Sequence, residues 1–379
     1  KATGATLSIA SGRLSYVLGL QGPCISYDTA CSAALVAGHG GLRAVQRSEC
    51  TIALVAGVNI MLVPGVSATF AAAGMTSLRG RSSTFDAGAD GYARAEACGT
   101  VAMEAMLPDT ELAYGLVGGA VRQDGRSASL TAPNGQAQQR LLVAALADSC
   151  QDPSALHVNE AHGTGTVLGD PIEAGSLAGA ILVSRPADRP LLLGGTKANL
   201  GHAEPAAGIT GLLALSCQLS TCEAVPNAQL REMNVHVQSA LGSAACSLSL
   251  HVGMVHRASA SWGGVSSFGF SGTIAHALLG TGTAEDTLMS SSRWLLKVTS
   301  VALKPRTFDW CTPAHPLIQF QPPVLDASVT FRSPSAGLLY AVISNHIVRG
   351  RVTLPGAGYL EMARAGCSAN VASTAASLN

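Results

Sequence analysis

The sequence predicts a layered α/β fold, and three observations carry that reading. Short apolar runs alternate with longer helix-forming stretches, the pattern expected when helices cover the faces of a sheet. The 379 residues are 47% hydrophobic but only 4% aromatic and include 42 glycines, so small side chains let helices pack close against strands. Two histidines in glycine-rich frames follow short apolar runs, and α/β proteins place function on loops leaving strands.

The elements follow in order. Small, helix-forming residues run from Cys31 to about Arg47 and predict a helix. Residues 51–62 are β-rich and apolar and predict a buried strand. Residues 136–150 predict a helix, and 155–159 a strand that leads into the His162 loop. Asp170-Pro171 starts another helix, with Asp170 as N-cap and Pro171 in the first turn. Residues 191–193 form a short strand, and 206–219 a buried, small-residue helix. Strands near 245–256 and 274–279 close the domain, and residues 281–300 lose periodicity and become Ser/Thr-rich, as a linker does.

Composition excludes several function classes. Lys plus Arg and Asp plus Glu balance at 23 each, with an isoelectric point near 7.2, so no nucleic-acid or acidic-membrane partner is implied. No stretch approaches the roughly 18 apolar residues of a membrane span, and the N-terminus lacks a signal-peptide layout. The ten cysteines are scattered without a Cys-x-x-Cys pair and read mostly as small buried hydrophobes in a reducing compartment. Cys217 and Cys222, the closest pair, have no framing histidine or acid that would make a metal site. The glycines at 163, 165 and 169 miss the dinucleotide-loop spacing by one residue.

The chemistry centres on Cys31, in Tyr27-Asp28-Thr29-Ala30-Cys31-Ser32-Ala33-Ala34. Placed at a helix start, its thiol meets partial positive charge and free N–H groups, which lower its pKa. His162 lies in Asn159-Glu160-Ala161-His162-Gly163-Thr164-Gly165-Thr166, and His202 in Lys197-Ala198-Asn199-Leu200-Gly201-His202. A cysteine with two framed histidines points to acyl-thioester chemistry, in which a thiol holds the chain in a form open to carbon nucleophiles.

These three frames resemble the ketosynthase (β-ketoacyl synthase) domain of type I polyketide and fatty acid synthases. The likeness is dense from about Ile9 to Leu279 and includes Ser11-Gly12-Arg13-Leu14-Ser15-Tyr16, Phe85-Asp86-Ala87-Gly88-Ala89-Asp90-Gly91-Tyr92-Ala93-Arg94, Asp124-Gly125-Arg126-Ser127 and Ser266-Ser267-Phe268-Gly269-Phe270-Ser271-Gly272-Thr273. The resemblance implies a thiolase-like αβαβα fold over residues 1–280, two sheets sandwiched between helices around a buried helix pair. The chain opens without Met inside family-like sequence, so this domain is expected to lack its N-terminal part.

The resemblance also implies roles. Cys31 accepts the acyl group, and His162 and His202, both neutral, donate hydrogen bonds to the enolate left by decarboxylation. Lys197 and Asn199 support the His202 loop. Thr164 and Thr166 bond local backbone or the pantetheine arm, and Glu160 pairs with Lys197. The backbone N–H of Phe268 joins that of Cys31 in an oxyanion hole, and its ring gates acyl entry. Substrates arrive on the phosphopantetheine of an acyl carrier protein, with no cofactor bound in this segment, and the family is homodimeric. One departure stands out: Ile274 occupies a position usually held by Asn, whose hydrogen bonds tie the closing loop.

A second pattern follows a linker at 281–314, in which Arg306-Thr307-Phe308-Asp309-Trp310 resembles a post-acyltransferase linker. Residues 315–379 resemble the N-terminal part of a polyketide dehydratase, a hot-dog fold. His346, Gly350 and Pro355 fit its His-x-x-x-Gly-x-x-x-x-Pro motif, which makes His346 the expected base. The Ser/Ala-rich tail 367–379 reads as disordered or cut mid-domain. The space between the two patterns is too short for an acyltransferase, so the malonyl loader is expected to act in trans. Two other readings stay open: a fatty acid synthase segment with the same chemistry, and a non-condensing scaffold that binds acyl carrier. The expected compartment is the cytoplasm, with a plastid as the alternative.

Overall fold

The computed structural model describes residues 6–105, 115–183, 185–255, 261–281, 294–296, 317–318, 333 and 337–376. The chain divides into two compact units, Lys1–Ser300 and Val301–Asn379.

The first unit is built on a mixed sheet. In chain order its elements are α1 (Leu7–Leu18), α2 (Ala33–Gln46), β1 (Ile52–Asn59), α3 (Pro64–Ala72), β2 (Ala97–Ala105), β3 (Gly115–Gln123), α4 (Gly135–Ser149), β4 (Leu156–Glu160), α5 (Gly169–Leu177), β5 (Leu191–Gly194), α6 (Lys197–Leu200), α7 (Ala207–Thr221), β6 (Glu223–Ala224), α8 (Val235–Leu241), β7 (Cys246–Leu248), β8 (Gly253–Met254), β9 (Ser261–Phe268), β10 (Thr273–Thr281) and β11 (Trp294–Leu296). Nine strands share one sheet in the order β1-β2-β11-β3-β10-β9-β4-β5-β7. The β9–β4–β5–β7 end is parallel and the remainder antiparallel.

Strand periodicity divides the core in two. Along β10, Ala275, Ala277 and Leu279 join one apolar cluster with Leu35 and Leu42 of α2 and Ile209, Leu212 and Leu215 of α7. The alternate residues Ile274 and Leu278 join the other, with Leu141 and Leu142 of α4, Leu177 of α5 and Val237 of α8. Successive side chains of a strand point to opposite faces, so both faces of β10 are covered. Each fully buried leucine contributes roughly 1.5–3 kcal/mol.

Helix α7 touches β1 and β2 near one end of the strand order and β4, β9 and β10 toward the other. Flat, those seven neighbouring strands would span roughly 28 Å, far more than a helix about 10 Å wide can cover. The sheet therefore curves round the α2–α7 pair. The expectation of two separate sheets is corrected: among the described residues, two arms of one sheet enclose the helix pair. The close approach needs small residues, since a Cβ on Gly208 of α7 would lie 2.6 Å from Leu35 Cγ and 3.0 Å from Leu35 N.

Most expected elements stand within two residues of their positions, but several readings change. The strand expected to be buried at 51–62 is an edge strand, with Ile52, Leu54 and Val58 about half exposed. The run at 245–256 splits into β7 and β8, which belong to different sheets. Asp170 is not an N-cap; α5 begins one residue earlier and the Asp170 carboxylate bonds distant backbone instead. Among the eight cysteines whose side chains are described, all free, only Cys31 is buried, and Cys24, Cys98, Cys150 and Cys217 are exposed. Within the expected linker, residues 294–296 join the sheet as β11; Arg306 to Trp310 lie outside the described residues.

In the second unit a helix (Gly337–Ile343) precedes a two-stranded hairpin (Ile347–Val348 with Arg351–Val352) and a helix over Gly356–Ala376. The tail expected to be disordered is thus helical through Ala376, consistent with the helix preference of its many alanines. No helix among the described residues is long and apolar enough to cross a membrane.

Candidate active site

Cys31 sits on a strained turn. Ala30 adopts φ +53, rare for a residue with a side chain, and α2 begins only at Ala33. Ser32 Oγ donates to Thr29 O at 2.9 Å, and Ser267 Oγ of β9 donates to Cys31 O at 2.7 Å. These bonds pin the backbone on both sides of the sulfur. The backbone N–H groups of Phe270 and of Cys31 itself also face the sulfur.

His202 Nε2 lies 3.1 Å from Cys31 Sγ. The Glu204 N–H donates to His202 Nδ1 at 3.3 Å, which places the imidazole proton on Nε2. The His162 ring stands edge-on to His202 at 5.5 Å between centroids. Tyr92, which the sequence reading had not singled out, packs edge-on against the other side of His202 at 4.8 Å. His202 is fully buried and His162 half-buried. Burial first, and the Lys197 charge second, hold both imidazoles well below their ordinary pKa, so both are neutral at pH 7.

The thiol reading is corrected. Burial pushes the Cys31 thiol up to about 11, although Lys197 and the N–H groups of Phe270 and Cys31 pull it down. The helix N-terminus does not win, because Cys31 precedes the first helical residue and is 8% exposed. Alkylation of Cys31 is therefore expected to accelerate about tenfold per pH unit beyond pH 9, where an ordinary thiol levels off. At pH 8 it should run about 100-fold slower than an ordinary thiol. A pH series of iodoacetamide rates read at the Cys31 peptide checks this, and a plateau below pH 9 would refute it. Because the folded pKa lies above the unfolded value of 9.0, the associated stability is present below pH 9 and lost as pH rises toward 11.

Two buried carboxylates shape the His162 loop. Glu173 accepts from the N–H groups of His162 at 2.7 Å and Gly163 at 2.8 Å. Asp170 accepts from Phe85 N at 2.7 Å and Gly165 N at 3.1 Å. Burial raises them to about 7 and about 6 respectively, opposed by those same N–H groups. Sequence reasoning missed Glu173 as a site residue. Its signal was a second acid three positions after Asp170, on a helix whose other buried residues are Ala174, Ser176 and Leu177.

The other expected residues separate. Lys197 is buried beside the site. Glu160 forms no ion pair with it among the described residues; its Oε1 accepts from Thr196 N at 2.7 Å. Asn199 is exposed and ties the α6 turn to residues 226–228 through Pro226 O and Ala228 N. Thr166 Oγ1 accepts from Gly169 N at 3.2 Å and contacts Thr164 Oγ1 at 3.2 Å, so both hydroxyls serve the local turn. The Phe268 ring lies 5.4 Å from His162. The backbone N–H of Phe270, two residues on from Phe268, is one of the groups that pull the Cys31 thiol down. The Ile274 side chain fills the α4-side core, and the closing loop is held by Gly269 N to Thr273 O, Gly272 N to Gly269 O, Asp124 N to Gly272 O and Gln123 Nε2 to Ser271 O. His346 belongs to the second unit.

A buried cysteine, two neutral histidines and a buried lysine thus meet on this curved sheet. Residues 1–107 match the beta-ketoacyl synthase N-terminal domain and residues 114–231 its C-terminal domain, together more than half of the chain. The chain belongs to the beta-ketoacyl synthase family. It is 40% identical over 285 residues to the phenolphthiocerol synthesis polyketide synthase type I Pks15/1 of Mycobacterium bovis, covering 73% of this chain and 13% of that protein. It is 40% identical over 281 residues to the erythronolide synthase EryA2 of Saccharopolyspora erythraea, covering 73% of this chain and 8% of that protein. The chain thus spans only a small part of the length of these curated relatives. Among solved structures, the ketosynthase from module 6 of the bacillaene synthase of Bacillus subtilis 168 superposes with a TM-score of 0.70 at 30% identity, over 74% of this chain and 51% of that one. The oxazolomycin ketosynthase domain OzmH KS7 of Streptomyces albus JA3453 gives 0.71 at 30% identity, over 74% of this chain and 50% of that one.

Proposed function

We propose that this chain extends an acyl chain by decarboxylative Claisen condensation, with Cys31 as acyl acceptor. The approach of His202 Nε2 to Cys31 Sγ at 3.1 Å carries the reading. An acyl group arrives as a thioester on the phosphopantetheine arm of an acyl carrier protein. The Cys31 sulfur attacks its carbonyl carbon, and the carrier thiol departs with the proton that Cys31 gives up. A malonyl thioester then loses carbon dioxide, and its enolate oxygen accepts hydrogen bonds from His202 and His162. The enolate carbon attacks the Cys31 thioester, the oxyanion settles between the N–H groups of Cys31 and Phe270, and the carbon–sulfur bond breaks. The Cys31 thiolate recovers its proton from solvent. Lys197 supports the two histidines by disfavouring their charged forms.

Residues 1–280 form the ketosynthase part in this reading, 281–314 the linker and 315–379 the start of a dehydratase. The His346 environment supports the last assignment. Its Nδ1 lies 2.8 Å from Thr353 O, a bond that puts the proton on Nδ1 and leaves Nε2 free to act as a base. A homodimer and a malonyl loader acting in trans complete the proposal; an acyltransferase domain upstream in the same module would overturn the second.

Intact-mass measurement after incubation with an acyl-carrier thioester, beside Cys31→Ala, tests the reaction. One acyl adduct, absent from the variant, followed by release of a β-ketoacyl product on adding malonyl carrier, is expected. A folded protein that takes no adduct would overturn condensation in favour of the scaffold reading.

A further inference from the structure

The Arg94 side chain is held between Glu204 and two residues of α3. Its Nε and Nη2 donate to the two carboxylate oxygens of Glu204 at 2.5 and 2.8 Å, and both side chains are 9% exposed. Its Nη1 donates to Ser67 Oγ of α3 at 2.5 Å. Its guanidinium carbon lies 5.2 Å above the Phe70 ring, and Phe70 meets Phe270 edge-on at 6.4 Å. Arg94 thus touches the turn after His202 directly and the loop after β9 through one aromatic ring.

The turn it grips needs gripping. Glu204 adopts φ +47, a conformation that side-chain-bearing residues rarely hold without surrounding support. That turn is what aims the Glu204 N–H at His202 Nδ1. The backbone on the other side is fixed too: His202 N donates to Ala93 O at 2.7 Å, and Ala95 N donates to His202 O at 2.9 Å. Arg94 is the residue between those two anchors, so one short segment holds His202 by its main chain and Glu204 by its side chain.

We propose that Arg94 and Glu204 are a positioning pair that sets the tautomer of His202 and holds its Nε2 proton toward Cys31. The planar guanidinium fork suits this task, since it fixes both carboxylate oxygens at once. A lysine keeps the charge but cannot hold both oxygens and Ser67 together. The proposal rests on the condensation reading for its effect on rate, but not for its effect on His202 itself.

The test uses the 379-residue chain labelled with ¹⁵N-histidine, with the His202 signal assigned by its loss in His202→Gln. Wild type should show His202 as the Nε2–H tautomer. Arg94→Lys should show the two tautomers mixed, with condensation of a pre-acylated protein slowed about tenfold and the KM for malonyl carrier unchanged. Ser67→Ala, which removes one bond and spares the ion pair, should shift His202 the same way with a two- to threefold slower rate. It keeps the test open if Arg94→Lys does not fold. An unchanged His202 signal in every variant that folds, with rates within twofold of wild type, would overturn the proposal. If wild type itself takes no acyl group, the condensation reading fails while the tautomer signal still decides the role of the pair.

Discussion

Replacing His202 by alanine is expected to slow condensation by about 10²–10³-fold, equivalent to about 3–4 kcal/mol of lost transition-state stabilisation. The imidazole is fully buried, neutral and protonated on the nitrogen that faces Cys31. Its contribution grows as charge develops on the enolate oxygen and is small before that. Loading of Cys31 from an acyl carrier should therefore fall much less than the carbon–carbon bond-forming step. Single-turnover assays on protein acylated in advance separate the two. Condensation within threefold of wild type in a folded variant would remove His202 from the mechanism. A lower melting temperature is also expected, because the vacated space beside Tyr92 and His162 is enclosed.

Gly269→Ala is the second large effect. A Cβ at this position would stand 2.4 Å from Thr29 O and 3.0 Å from Thr273 O, with Ser32 Oγ at 3.2 Å. Two of these atoms are backbone, and the Thr29 carbonyl already accepts from Ser32 Oγ beside Cys31. Relief requires the Phe268–Thr273 loop to move away from the nucleophile and to carry the Phe270 N–H with it. Acylation of Cys31 should fall at least tenfold, with a stability loss of about 1–3 kcal/mol from overpacking. Intact mass and thermal melting report the two effects separately. Wild-type acylation in this variant would show that the loop does not contribute to the oxyanion site.

The site was legible from sequence wherever a residue type was itself improbable. Cys31, His162 and His202 stood in unusual frames, and the structure brings their side chains together. The residues that hold them were not legible. Asp170, Tyr92 and Arg94 act by reaching across long stretches of chain, as Asp170 does to Phe85 and Arg94 to Glu204. No local pattern marks such a partner. The sequence reading named Phe268, whereas the Phe270 N–H is among the groups that act on the Cys31 thiol.

The fold divides in the same way. Leucine-rich runs such as 191–194 and 207–221 were readable because burial demands their side chains. Strands β2, β3 and β9 were passed over. Their sequences are rich in Gly, Ala and Ser, which have weak strand preference, and neighbouring strands and helices impose the extended form. The candidate site was already visible in the primary structure, in three side chains set in unusual frames. The protonation of Cys31 and the tautomer of His202 emerge only on folding, because burial and the direction of a single N–H group depend on what the rest of the chain packs around them.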